Sequence, residues 1–144
     1  RGAKKIYAVD VGYGQLDWRL RQNERVIVKE KTNARFLTDQ IIKDPLDAIV
    51  CDASFISLKK VLPPGLGLLK TKGWLAALIK PQFEVGKGLV GKGGVVRDPE
   101  LHQEVVADIK NWLQHDMNMY LSGVVESPIL GPSGNKEFVI VANK

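Results

Sequence analysis

Three charged residues stand where apolar runs begin or end. Asp52 follows Ala48-Ile49-Val50-Cys51, Lys80 follows Trp74 to Ile79, and Glu137 introduces Phe138-Val139-Ile140-Val141-Ala142. A lysine held beside carboxylates can orient a nucleophile or take a proton from it. To act as a base it must first lose its own proton. Moving an ordinary lysine from about 10.4 to about 8 requires roughly 3 kcal/mol of destabilisation of the charged form, which burial or a second cation supplies. A neighbouring aspartate acts in the opposite sense, so Asp52 reads as an orienting and charge-balancing group. Glu137 joins the pair only if its strand runs antiparallel to the other two. Simpler roles remain open: a salt bridge at a strand edge for Asp52 and Lys80, and a surface glutamate beside Lys136 for Glu137.

A fourth acid, Asp10, closes the run Ile6-Tyr7-Ala8-Val9. An acid at the tip of a strand in a nucleoside-binding sheet accepts hydrogen bonds from ribose hydroxyls, while beside Gly12 and Gly14 it could equally cap a turn. The loop Gly86 to Gly94 carries the glycine and lysine spacing of a phosphate-binding loop. Gly93, however, stands where a magnesium-ligating Ser or Thr is required, and residues 81–85 separate the loop from its strand, so a nucleotide triphosphatase is disfavoured. Lys87, Lys92 and Arg97 make this a basic loop suited to RNA phosphates or to plain solvent exposure.

The elements that must position these residues are short apolar runs: Ile6 to Asp10, Val26 to Lys29, Ala48 to Asp52, Trp74 to Lys80, Tyr120 to Glu126 and Phe138 to Ala142. Runs of this kind belong to strands covered on both faces, which points to a parallel sheet between helices. Helical spacing is expected over Ala34 to Lys43 and over Pro99 to His115, the latter N-capped by Asp98. Ser54 to Lys70 reads as a helix interrupted at Pro63-Pro64-Gly65. The alternation predicts a doubly wound α/β sheet, in which ligands bind beyond the carboxyl ends of the strands.

The 144 residues fit one domain, with 44% hydrophobic and 26% charged residues and a formal charge of +5. This composition suits a folded protein with an anionic partner such as nucleic acid. No apolar run has the roughly 20 residues that span a bilayer. The single cysteine, Cys51, leaves no internal disulfide, which suits a reducing cytoplasm. The chain opens Arg1-Gly2-Ala3, and a natural start further upstream is expected.

Taken together, Val9 to Leu16, Asp52-Ala53-Ser54-Phe55-Ile56-Ser57-Leu58, Lys80-Pro81-Gln82-Phe83-Glu84, Gly91 to Asp98 and Gly134-Asn135-Lys136-Glu137-Phe138 resemble the TlyA family, also labelled hemolysin A. The resemblance covers essentially the whole chain. It implies a Rossmann-like methyltransferase sheet of FtsJ type with an antiparallel last strand, preceded by a small RNA-binding domain. It also implies S-adenosylmethionine as cofactor and 2′-O-methylation of cytidine in ribosomal RNA as the activity. Asp52, Lys80 and Glu137 match the second, third and fourth members of a lysine, aspartate, lysine, glutamate tetrad. The first lysine, the first strand and its glycine-rich cofactor loop have no counterpart here. Asp10 and Val11, with Asn33 and Asp52, are the expected cofactor contacts; Lys87, Lys92 and Arg97 are the expected RNA contacts. Asp52-Ala53-Ser54-Phe55 also resembles a motif of base methyltransferases, though without its prolines. The alternatives are a non-catalytic RNA-binding fragment and a membrane-active hemolysin-like factor.

Overall fold

A computed structural model describes residues 2–144, apart from the side chain of Lys87. Among these residues the strands are β1 (Ile6–Val9), β2 (Val26–Lys29), β3 (Leu46–Cys51), β4 (Leu69–Ile79), β5 (Tyr120–Glu126) and β6 (Phe138–Asn143). The helices are α1 (Trp18–Arg21), α2 (Leu58–Val61), α3 (Pro63–Leu68), α4 (Pro81–Glu84) and α5 (Pro99–Asn111). β1 and β2 pair in parallel, and a second sheet has the order β3-β4-β6-β5. β3 and β4 are parallel, whereas β6 runs antiparallel to both β4 and β5. The expected antiparallel last strand is therefore present.

The two sheets share no ladder among the described residues. The start of β1 is nevertheless tied to the segment before β3, because Lys5 Nζ and the Tyr7 hydroxyl both donate to Asp44 Oδ2, at 2.8 and 2.5 Å. Among the described residues the outer edges of β1 and β3 thus carry no strand partner.

The core lies on one face of the four-stranded sheet. Leu75, Ala77 and Ile79 of β4 alternate inward and pair with Ala142, Ile140 and Phe138 of β6; α2, α3 and α5 cover them with Leu58, Leu62, Leu66, Val105 and Ile109. The other face is not covered in the same way: Val50 is 77% exposed and Trp74 42%. The expectation that both faces are buried is corrected here. These runs are apolar on both sides, but the helices described lie against only one.

Local sequence explains most element boundaries. Asp98 Oδ1 accepts the Glu100 N–H at 2.9 Å and Pro99 occupies the first helical position, so α5 starts as expected. It ends in a single π turn, Trp112–Asp116, rather than running regularly to His115. The interruption expected at the prolines is present: α2 ends at Val61 with Leu62 as its C-cap, and Pro63 starts the separate helix α3. Lys70 lies in β4 rather than at a helix end. The helix expected over Ala34 to Lys43 is absent. Asn33 caps a single 3-10 turn, Ala34–Phe36, after which Leu37 is extended. Phe36, Leu37, Ile41 and Ile42, the apolar residues at helical spacing, do not share a buried face, since Phe36 is 65% exposed while Ile42 is buried, so packing does not support the longer helix.

Candidate active site

The ends of β3 and β4 and the start of β6 form one edge, as the strand directions require. Cys51 pairs with Ala77 and Ile79 pairs with Phe138, so Asp52 lies one residue past β3 while Lys80 and Glu137 follow from the last register pair of β4 and β6. Lys80 Nζ contacts Asp52 Oδ1 at 2.6 Å and donates to Ser54 Oγ at 3.1 Å. The lysine side chain is only 8% exposed and the aspartate 65%, so a buried cation is held by an acid that faces outward. An ammonium has three N–H groups. Among the described residues Asp52 and Ser54 are its recorded partners.

Glu137 is 6% exposed and is bonded by Gln82, whose Nε2 donates to Glu137 Oε1 at 3.4 Å. Gln82 Oε1 is buried without a partner among the described residues. Such an atom marks a place where a donor is missing. Room for Glu137 depends on Gly131: a Cβ added there would lie 2.1 Å from Glu137 Oε1 and 2.6 Å from its Cδ. Asn135, also buried, bonds to Gly94, Val96 and Pro132 and thereby joins the glycine-rich loop to the segment that delivers Glu137.

Phe55 follows Ser54 and is 90% exposed. Its φ of 63° lies in the left-handed region that a bulky residue seldom adopts. Its ring leans on Phe83, with centroids 5.0 Å apart. An aromatic face is thus presented to solvent beside Asp52 and Lys80.

A second polar edge is formed by β1 and β2. Asp10 is exposed at the tip of β1, and its Oδ1 accepts the Gly12 N–H at 2.7 Å, so the turn-capping role is realised. Its main-chain oxygen accepts the Thr32 N–H at 3.0 Å, which brings Asn33 to the same edge. Asn33 Oδ1 accepts the Arg35 N–H, and Val11 is 68% exposed. A cavity of about 160 Å³ beside Asp10 is lined by Ala8, Val9, Gln15, Leu16, Val28 and Glu30. Its lining mixes apolar side chains with the polar Asp10, Gln15 and Glu30. Lys92 and Arg97 are exposed on the glycine-rich loop, and the Lys87 side chain lies outside the described residues. No cluster of metal-ligating side chains occurs among the described residues, nor is any helix long and apolar enough to cross a membrane.

Glu84 ends α4 and accepts from the start of α2. Burial pushes its carboxyl above the ordinary value of 4.5, against the opposing pull of hydrogen bonds from Ser57 and from the Leu58 N–H, the latter at 2.8 Å. A carboxyl whose folded pKa is raised contributes stability at low pH that is lost as pH rises from the unfolded value through the folded one. Glu84→Gln keeps an acceptor for Leu58 and removes this dependence. Urea unfolding at pH 4 and pH 8 is expected to show a smaller pH-dependent loss of stability in the variant; an identical loss in both proteins contradicts the assignment.

Ser54, Gln82, Gly131 and Asn135 are the site residues that sequence reasoning did not single out. Each lies within or beside one of the five motifs, which is the signal that could have found them. The FtsJ-like methyltransferase family model matches residues 1–144. The 16S/23S rRNA (cytidine-2′-O)-methyltransferase TlyA of Mycobacterium tuberculosis is 49% identical over 140 residues, which cover 97% of this chain and 52% of the relative. Hemolysin A of Brachyspira hyodysenteriae is 38% identical, covering 96% of this chain and 58% of the relative. The chain thus spans about half the length of the curated relatives it matches. A solved hemolysin candidate from Lactococcus lactis superposes with a TM-score of 0.94 at 40% identity, over 99% of this chain and 68% of that one. The N-methyltransferase NodS of Bradyrhizobium japonicum, solved with S-adenosyl-L-homocysteine, is 11% identical with a TM-score of 0.61 over 98% of this chain and 67% of that one, which shows a shared fold. With one family model spanning every residue and the polar groups gathered at the carboxyl edge of an α/β sheet, this chain belongs to the FtsJ-like methyltransferase family.

Proposed function

We propose that this chain is the catalytic part of an S-adenosylmethionine-dependent enzyme that methylates a ribose 2′-hydroxyl of ribosomal RNA, cytidine being the preferred nucleoside. The observation that carries the reading is Lys80, buried and pinned between Asp52 and Ser54, in a fold of this family. When bound, S-adenosylmethionine supplies an electrophilic methyl group on a sulfonium. Asp10 accepts the hydroxyls of its ribose, with Val11, Asn33 and Asp52 as further contacts.

The neutral form of Lys80 accepts the proton of the attacking 2′-hydroxyl, while Asp52 and Ser54 fix its Nζ. Glu137, held by Gln82, adds negative charge opposite and steadies the cation that results. Most of the rate enhancement comes from positioning, for which well-oriented intramolecular models give roughly 7 to 11 kcal/mol. Lys87, Lys92 and Arg97 contact RNA phosphates, which fix register without reading sequence.

Phe55 offers a stacking face for the target base. Stacking on an aromatic ring is worth about 1 to 3 kcal/mol per base. Phe55→Ala is therefore expected to weaken RNA binding about tenfold or more in a filter-binding titration, with cofactor affinity unchanged. Equal RNA affinity for the two proteins removes Phe55 from substrate recognition.

Calorimetric titration of S-adenosylmethionine into the full-length protein tests the reading. One bound equivalent, lost in Asp10→Ala, is the expected result. The absence of any binding favours a non-catalytic RNA-binding role.

A further inference from the structure

The buried amide of Asn135 has no part in the chemistry proposed above, yet every group on it is used. Its side-chain Oδ1 accepts the Val96 N–H at 3.1 Å. Its Nδ2 donates to Gly94 O at 3.0 Å and to Pro132 O at 3.2 Å. Its main-chain oxygen accepts the Gly131 N–H at 2.8 Å. Asn135 itself is 3% exposed. The first two contacts lie about forty residues away in sequence, in the basic glycine-rich loop; the last two lie in the turn that delivers Glu137.

Two further contacts make the junction stiff. His102 Nε2 bonds Val96 O at 2.8 Å, so the loop strand is gripped from α5 as well. Gly91 N–H donates to Val95 O at 3.1 Å, closing the loop on itself. The exposed cations Lys92 and Arg97 flank this gripped stretch, and Glu137 follows Asn135 by two residues.

We infer that Asn135 is a positioning residue that locks the basic loop and the Glu137 turn into one jaw, so that RNA phosphates held by Lys92 and Arg97 also fix Glu137 against Gln82. The inference rests on the reading of the loop as an RNA contact. Chemistry explains why an amide is needed. Two carbonyls and one N–H converge on the side chain, which demands two donors and one acceptor at one planar group. A carboxylate of the same shape supplies no donor and faces two carbonyl oxygens with negative charge.

The test is a double-mutant cycle in the full-length protein, with RNA affinity and methyl transfer both read. Lys92→Gln/Arg97→Gln should weaken RNA binding about tenfold, and Asn135→Asp should do the same while lowering kcat. In the combined variant the loop substitutions should add less than about twofold, since residues acting as one unit are not additive. Additive effects would overturn the jaw. If the loop substitutions alone leave RNA affinity unchanged, the RNA-contact reading fails by itself; the jaw is then judged by hydrogen exchange in the unsubstituted protein. There the Val96 and Gly131 amides should open together with the same protection, a result that does not depend on any variant folding. Independent exchange at the two amides overturns the lock.

Discussion

Lys80→Ala is expected to lower methyl transfer by about a thousandfold or more while leaving RNA affinity within a factor of about two. A positioned base contributes typically 10²- to 10⁴-fold, and Lys80 is the basic side chain held inside the candidate centre. Its removal leaves Asp52 without its cation, but that carboxylate is 65% exposed and solvent takes over. The fold should therefore survive. Lys80→Arg is expected to be nearly as inactive, because a guanidinium stays protonated and cannot accept the hydroxyl proton. Single-turnover assays with saturating RNA isolate the chemical step. Turnover within about tenfold of the unsubstituted protein removes Lys80 from the mechanism.

The second large effect comes from a residue with no side chain. In Gly131→Ala the new methyl would lie 2.1 Å from Glu137 Oε1, far inside van der Waals contact, and Glu137 is buried with little freedom to turn away. The carboxylate must leave its place beside Gln82. Gly131→Ala is thus expected to reproduce Glu137→Ala, with kcat lowered about a hundredfold in each and RNA affinity little changed. The two together should be no worse than either alone. Multiplying losses would show that Gly131 acts elsewhere.

The parts of this arrangement that were legible in the sequence share one property: they depend on residues next to one another in the chain. Val26–Lys29 and Tyr120–Glu126 are apolar runs whose limits match their strands, and Asp98-Pro99 fixes the start of α5. Asp52 and Lys80 could be placed at one edge because each ends such a run, whereas Glu137 joined them only through the antiparallel last strand that the family resemblance implied. β4 was harder. It begins at Leu69 and is irregular before Trp74, where its register against β3 shifts and Lys72 has a φ of 68°. No pattern in residues 69–73 announces that.

The failures arise where distant packing decides. The spacing in Ala34 to Lys43 satisfies a helix, but the chain leaves the helical region at Leu37 and no neighbouring surface receives a single apolar face. α1 was not foreseen, although Asp17, which caps it by accepting the Arg19 N–H at 2.8 Å, was visible. A four-residue helix has too little periodicity to be read. Gln82 meets Glu137 across 55 residues, and Asn135 meets Gly94 across 41. Side chains of that kind acquire a role only when the strands that carry them are paired.

The central claim is that Lys80 serves oxygen chemistry on ribose, and one measurement addresses it directly. The full-length protein is incubated with ribosomal RNA and methyl-labelled S-adenosylmethionine, and the RNA is then hydrolysed in alkali. A methylated 2′-oxygen cannot attack its neighbouring phosphate, so the label is expected in an alkali-resistant dinucleotide, and to disappear with Lys80→Ala. Label recovered in single nucleotides would place the methyl group on a base and contradict the account.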